Sequence, residues 1–327
     1  MPKIVARAAL IAHGGAGGRA PSAERGPRRQ GLIEAVERGA AILRGGGIAL
    51  DAVVATVAAL EDNGLFNAGY GSVLTTAGRV EMDAAVMVAE PEPPELVRTA
   101  RNPQKAAHRS RAGGVVLVSR VLNPIMLARA VMERTPHLLM GGAGAERLAR
   151  QAGIRLCRPE QLVSERARQR WLAAMEARRG VPLQSHGTVG AVALDAHGSL
   201  AAATSTGGVS AKMPGRIGDS AIVGAGLFAG PNGAASATGT GEAILKVGLC
   251  RLAIDLAARS SSARAALSAI RRLYAATGGE AGVVMVDASG RLGYAHNAQA
   301  MEVAMFERGG KIRHVALEPS VKRPAPN

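Results

Sequence analysis

Two short runs, Thr188 to Leu194 and Leu200 to Ser205, are almost continuously apolar and built from small residues, with a turn at Ala196 to Ser199 between them. Strands of this kind do not alternate apolar and polar faces, so both of their faces are covered. The rest of the chain supplies the cover. Leu32, Ala35, Val36, Ile42 and Leu43 recur at helical spacing, and Ile48 to Leu60 reads as a second, very apolar helix. Pro124 to Arg134, Ala143 to Ala152, Gly241 to Ala258 and Ala263 to Tyr274 read as further helices. Val5 to Ala12, Ser72 to Thr76, Arg79 to Val88, Val115 to Arg120, Gly282 to Asp287 and Arg291 to His296 read as strands. Helices apolar on one stripe and strands in both halves imply an α/β (α+β) fold, a four-layer αββα sandwich of stacked, mainly antiparallel sheets in one domain, 1–327.

Composition narrows the function. With 47% apolar residues but only 2% aromatic ones, and 42 glycines, the core is made of Ala, Val, Leu and Ile, with closely packed backbones. The net charge of +15 raises nucleic acid as a partner. The basic residues are spread along the chain, however, and do not interleave with aromatic stacking platforms, so no nucleic-acid partner is expected. Cys157 and Cys250 form neither a disulfide framework nor a zinc motif, which makes the cytoplasm the default compartment. No run is long enough to span a membrane. The seven histidines have no helical i, i+4 pairing, so no catalytic metal or other catalytic cofactor is expected. His13, in the glycine string Gly14 to Gly18, reads as structural.

The sharpest local signal is Ser185-His186-Gly187-Thr188-Val189-Gly190, where a threonine opens a buried strand directly after a glycine. Attack of the Thr188 hydroxyl on the Gly187 carbonyl gives an ester, and water opens it to leave Thr188 with a free α-amine. A hydroxyl needs a base to become a nucleophile. An α-amine, with a reference pKa of about 7.7–8.0, is suited to that task. A Gly-Thr step at a strand start is also structurally ordinary. Thr206 in the next strand fits either a cross-strand threonine pair or a partner of that hydroxyl. Arg216 and Asp219, three apart in a Pro and Gly framed loop, suit either a surface ion pair or the two ends of an amino-acid zwitterion. Thr238 and Gly239 are placed at the opening of a helix, as a cap or as donors to an oxyanion.

Six strings decide among these alternatives: IAHGGAG at Ile11 to Gly17, LEDNGLFNAGYGSV at Leu60 to Val73, HGTVGAVALD at His186 to Asp195, ATSTGG at Ala203 to Gly208, PGRIGDS at Pro214 to Ser220, and TGTGE at Thr238 to Glu242. With them the chain resembles, over nearly its whole length, the plant-type L-asparaginase and isoaspartyl peptidase family of N-terminal nucleophile hydrolases. The resemblance implies self-cleavage between Gly187 and Thr188 into an α part, 1–187, and a β part, 188–327, paired as (αβ)2 from a homodimer of precursors. It implies Thr188 as nucleophile, Thr206 as its orienting partner, and Thr238 with Gly239 at the oxyanion. Arg216 and Asp219 become the clamp on a small amino-acid or dipeptide substrate, with Gly239 and Gly241 lending backbone polar atoms. Backbone carbonyls of Leu60, Glu61, Asn63, Phe66, Ala68 and Tyr70 are implied to hold a structural, sodium-like cation, and Asn67 to support the active-site threonine. The implied reaction is hydrolysis of L-asparagine or β-aspartyl dipeptides to aspartate.

Two departures qualify the resemblance. After Met87 the family continues with Asp-Gly and a short strand, whereas this chain has Val88, Ala89 and a Pro-rich, then basic, segment read as a surface insertion over 89–114. This motivates the alternative of an uncleaved relative that binds a small molecule or a partner through the basic insertion. A charged stretch at 158–187 is read as the linker before the nucleophile. Glycosylasparaginases, another enzyme alternative, carry Ile-Gly-Met after the nucleophile; Val189, Gly190 and Ala191 argue against that substrate.

Overall fold

The computed structural model describes residues 8–92, 108–176, 187–307 and 310–321. In chain order these form β1 (Ala9–Gly17), α1 (Ser22–Arg44), α2 (Ala49–Asp62), β2 (Met82–Pro91), β3 (His108–Val118), α3 (Pro124–Arg134), β4 (Leu139–Gly141), α4 (Gly142–Gln151) and α5 (Glu165–Glu176). There follow β5 (Val189–Leu194), β6 (Leu200–Thr206), β7 (Leu227–Gly230), β8 (Gly233–Gly239), α6 (Gly241–Val247), α7 (Leu249–Ala257), α8 (Ser262–Thr277), β9 (Ala281–Asp287), β10 (Leu292–His296), β11 (Ala300–Glu307) and β12 (Arg313–Leu317).

Among the described residues the strands make two sheets. The larger has the order β12-β11-β1-β5-β6-β2-β3-β4 and the smaller β10-β9-β8-β7. All ladders within them are antiparallel except β3 with β4. The fold is thus mixed α/β with two stacked sheets and helices. The small-residue runs lie at the centre of the larger sheet, where β5 pairs with both β1 and β6. Their continuous apolarity has a direct cause. Ala191 and Ala193 belong to the core shared with Leu32, Val36, Val53 and Val57 of α1 and α2. Val192 and Leu194 point the other way, into the core shared with Ala234, Val284 and Val286 of the smaller sheet. A third core joins Ala235, Val283 and Met285 to Ile254, Ile270 and Leu273 of α7 and α8. Each buried Val, Leu or Ile side chain in these layers contributes about 1.5–3 kcal/mol.

The fold departs from the sequence-based expectations at several places. Of the strand expected at Val5 to Ala12, Val5 to Arg7 lie outside the described residues; it begins at Ala9 and runs on through the glycine string to Gly17, with a bulge between His13 and Ala16. The helix expected over Gly241 to Ala258 breaks at Gly248, whose φ of +60° is a left-handed geometry open to glycine. At the two ends of the insertion expected over 89–114 the chain is sheet: β2 continues through Pro91 and β3 begins at His108, with Val88 opposite Arg111 and Glu90 ion-paired to Arg111. Its residues 93–107 lie outside the described residues, as does 177–186 of the expected linker. The earlier part of that linker forms α5.

Candidate active site

Thr188 stands just before β5. Val189 pairs with Ser205, so the next step of the antiparallel register sets Thr188 opposite Thr206, at the end of β6. Both are buried, and both line one open cleft of about 240 Å3 together with Arg216, Asp219, Gly239 and Gly241. Six residues singled out from the sequence therefore converge on one place. The Thr188 hydroxyl lies 3.2 Å from the Ser220 hydroxyl. Thr206 uses its hydroxyl to accept the Gly208 N–H at 2.9 Å, and the Asn67 amide donates to the Gly208 carbonyl at 2.7 Å. Asn67 thus supports the turn that follows Thr206 and reaches the threonines through it.

The Gly187-Thr188 step is packed backbone to backbone. A Cβ on Gly187 would stand 2.2 Å from the Gly15 Cα, and one on Gly15, at φ +109°, would stand 2.6 Å from the Gly187 Cα. Beside β5, His13 is fully buried with Nε2 2.9 Å from the Ser236 hydroxyl. Burial drives its pKa down to about 3, against the favourable pull of the nearby Thr188 backbone, so the ring stays neutral. A Cβ on Gly190 would collide with both of those side chains.

Arg216 lies in a channel made by three glycines. Added Cβ atoms at Gly218 and Gly241 would each come within 2.8 Å of its guanidinium, and one at Gly208 within 3.4 Å. Its hydrogen-bonding partner is Glu242, at 2.8 and 3.1 Å, rather than Asp219. Asp219 is buried, and among the described residues its Oδ2 has no hydrogen-bond partner. Burial pushes its pKa up to about 7, although Arg216 pulls the other way. A buried carboxyl that lines a cleft with one oxygen unbonded among the described residues suits a cationic group there.

Thr238 is placed differently from its expected position at a helix start. It ends β8 inside the sheet, fully buried, where its hydroxyl accepts the Ala16 N–H at 3.1 Å; the α6 helix is entered at Thr240. Thr238 is not among the residues lining the cleft, whereas Gly239 is. Gly239 has φ +136°, and a Cβ there would sit 2.4 Å from the Glu280 carbonyl, so the position depends on glycine.

The loop between α2 and β2 concentrates carbonyl oxygens. A Cβ on Gly69 would meet the Glu61 carbonyl at 2.5 Å, and one on Gly71 the Phe66 carbonyl at 2.0 Å. Arg28 ties the loop to the glycine string by donating to the Leu65 and Gly14 carbonyls. The Leu60 and Ala68 carbonyls each accept one backbone N–H, from Asn63 and Gly71, and a carbonyl retains a second lone pair. This chemistry fits a hard, oxygen-seeking cation.

Three residues beside the site were not singled out from the sequence. Ser220 closes the quoted PGRIGDS string and was within reach. Lys212 and Asp83 are both buried, and burial lowers the first pKa and raises the second. Asp83 accepts the N–H of Leu117 and, at 3.5 Å, of Gly218 in the Arg216–Asp219 loop. Only the folded chain brings these groups together.

A family model described as asparaginase matches residues 6–94 and 105–317, passing over the tip of the insertion. A plant-type L-asparaginase of Pyrobaculum calidifontis is 43% identical over 302 residues, covering 89% of this chain and 94% of the relative. An isoaspartyl peptidase/L-asparaginase of Bos taurus is 39% identical over 305 residues, covering 92% and 93%. A plant-type L-asparaginase of Pyrococcus furiosus is 39% identical over 319 residues, covering 93% and 97%. The chain belongs to the asparaginase family of hydrolases.

Proposed function

We propose that the chain is a precursor that cleaves itself between Gly187 and Thr188 and then hydrolyses the side-chain amide of L-asparagine, β-aspartyl dipeptides, or both. The observation that carries this reading is the convergence of a buried Thr188, at the mouth of β5, with Thr206 and the Arg216–Asp219 loop on one cleft. In the first reaction the Thr188 hydroxyl adds to the Gly187 carbonyl and the Gly187-Thr188 C–N bond breaks. Water then hydrolyses the ester to a Gly187 carboxylate and a free Thr188 α-amine. The tight packing of Gly187 on Gly15 supports a fixed geometry for that attack.

In the second reaction Arg216 holds the substrate α-carboxylate and Asp219, as carboxylate, the α-ammonium. The Thr188 amine takes the hydroxyl proton, the oxygen adds to the substrate carbonyl, and the proton passes to the departing ammonia or amino acid. Water releases aspartate from the ester. The Gly239 N–H faces the oxyanion. Thr238, through Ala16, fixes the bulge of β1 beside it. The carbonyl loop from Leu60 to Tyr70 holds a sodium-like cation with a structural role. Helices outside the two sheets give a four-layer αββα arrangement, with 1–187 and 188–327 as its two parts in an (αβ)2 assembly. The binding-protein alternative draws nothing from the two ends of the expected insertion, where 89–91 and 108–114 pair within the sheet.

The test is Thr188→Ala. The variant is expected to remain one chain and to release no ammonia from asparagine and no amino acid from a β-aspartyl dipeptide. A variant that is cut and turns over refutes the reading.

A further inference from the structure

Trp171, the chain's single tryptophan, lies on α5, outside the cleft. Its indole N–H donates to the Thr75 carbonyl at 2.8 Å, and its ring packs on the turn at Gly78, where a Cβ would stand 3.4 Å away. The same carbonyl accepts the Gly78 N–H at 2.9 Å, so both of its lone pairs are engaged. Arg166 and Arg170, on the same helix, are ion-paired with Glu24 of α1. The helix is therefore anchored to the body of the protein on one side and grips the 74–80 hairpin on the other.

That hairpin carries the loop leading to Arg216. The Ala211 N–H donates to the Leu74 carbonyl, and the Thr76 N–H to the Lys212 carbonyl, each at 2.8 Å. At its base, the Glu81 carbonyl accepts the Lys212 ammonium and the Glu81 carboxylate accepts the Gly215 N–H, each at 2.9 Å. These bonds enclose Ala211 at φ +55°, a left-handed geometry that a residue with a Cβ keeps only where its surroundings impose it. One residue beyond Gly215 comes the guanidinium. An unbroken chain of contacts thus runs from Trp171 through Thr75 and Lys212 to Arg216. Thr188 and Ser220 are held by other means: the β5–β6 ladder and the Thr204 hydroxyl, which donates to the Ser220 carbonyl.

We propose that Trp171 is a positioning residue for the substrate clamp, acting through the 74–80 hairpin on the 211–216 loop, and that it sets affinity for the substrate α-carboxylate without entering the chemistry at Thr188. The kinetic part of this inference rests on the proposed reaction; the mechanical part does not.

Trp171→Phe keeps the ring and deletes the donor, so it tests the link with little risk to folding. Hydrogen exchange should quicken at the amides of Thr76, Ala211 and Gly215 while β5 stays protected. With L-asparagine or a β-aspartyl dipeptide, KM should rise about threefold to tenfold, the effect of one lost hydrogen bond. Self-cleavage should persist and kcat should change by less than about twofold. Trp171→Ala should do the same more strongly; where it fails to fold, the Phe variant decides. Unchanged exchange at those three amides overturns the inference, as does a fall in kcat at constant KM, or a lower Tm with both constants unmoved. If the wild-type protein hydrolyses neither substrate, the proposed reaction fails on its own, and the exchange measurement still decides the brace.

Discussion

The Thr188 hydroxyl faces the Ser220 hydroxyl at 3.2 Å, and the Ser220 backbone is itself fixed by the Thr204 hydroxyl one strand over. The Thr188 hydroxyl thus has a fixed neighbour, held from β6 rather than from the 211–216 loop. Ser220→Ala removes that partner while leaving the loop backbone in place. The variant is expected to lose about threefold to tenfold in kcat, with a smaller change in KM. Steady-state kinetics on the purified variant check it, with intact mass confirming that cleavage has occurred.

Asp219 gives the site a pH dependence of definite sign. Burial holds its pKa up near about 7, so below that value the free protein carries a neutral Asp219 that cannot pair with an ammonium. The expected result is a KM that climbs about tenfold per pH unit below 7 and levels off above it. Asp219→Asn should bind weakly at every pH and lose this slope. The same linkage bears on stability. A carboxylate whose folded pKa exceeds its unfolded one costs stability increasingly as pH rises from the unfolded to the folded pKa and fully above it, so the Asn variant should gain Tm at pH 8 and little at pH 4.

Gly187 and Gly15 leave no room for a side chain between them. Gly187→Ala is expected to slow or stop conversion of the precursor while the fold survives, as judged by circular dichroism and by gel analysis over time. Conversion at the wild-type rate would show that the backbone contact has no part in the attack.

The carbonyl-rich loop from Leu60 to Tyr70 predicts stabilisation by a monovalent cation. A ligand that binds only the folded state raises Tm with its concentration. Exchange from sodium into a bulky organic cation at equal ionic strength should lower Tm, and added sodium should restore it; identical melting curves would remove the cation from the account.

Deletion of 95–104, the stretch that the family model passes over, is expected to leave self-cleavage and turnover intact, because β2 and β3 pair outside it. Deleting the whole of 89–114 is a different experiment. It would take Ala89 away from Leu200 and unpair part of the central sheet.

Much of this site was legible in the sequence because its residues lie in short strings whose chemistry is local: a Gly-Thr step, a Pro and Gly framed Arg-x-x-Asp, a run of small apolar residues. The central strands were legible because burial on both faces leaves no alternation. Other elements gave weaker signals. The strand Gly233–Gly239 is glycine, alanine, serine and threonine, with little of the bulk that marks a strand. Ala300–Glu307 is rich in Ala, Met and Glu, which favour helix, yet it forms β11 because β1 and β12 pair with it from both sides. Thr238 looked like a helix cap because Gly-Thr-Gly precedes a helical run, and the sheet claims it instead. Asp83 and Lys212 were invisible for another reason: their roles depend on burial and on partners distant along the chain.

The most direct test of the central claim is intact mass with N-terminal sequencing of the purified protein after incubation, followed by turnover of L-asparagine and a β-aspartyl dipeptide by the same sample. The account predicts two fragments, one beginning at Thr188, and hydrolytic activity that appears as the precursor disappears. A single chain of full mass that nonetheless hydrolyses either substrate, or a cut at another bond, would contradict it.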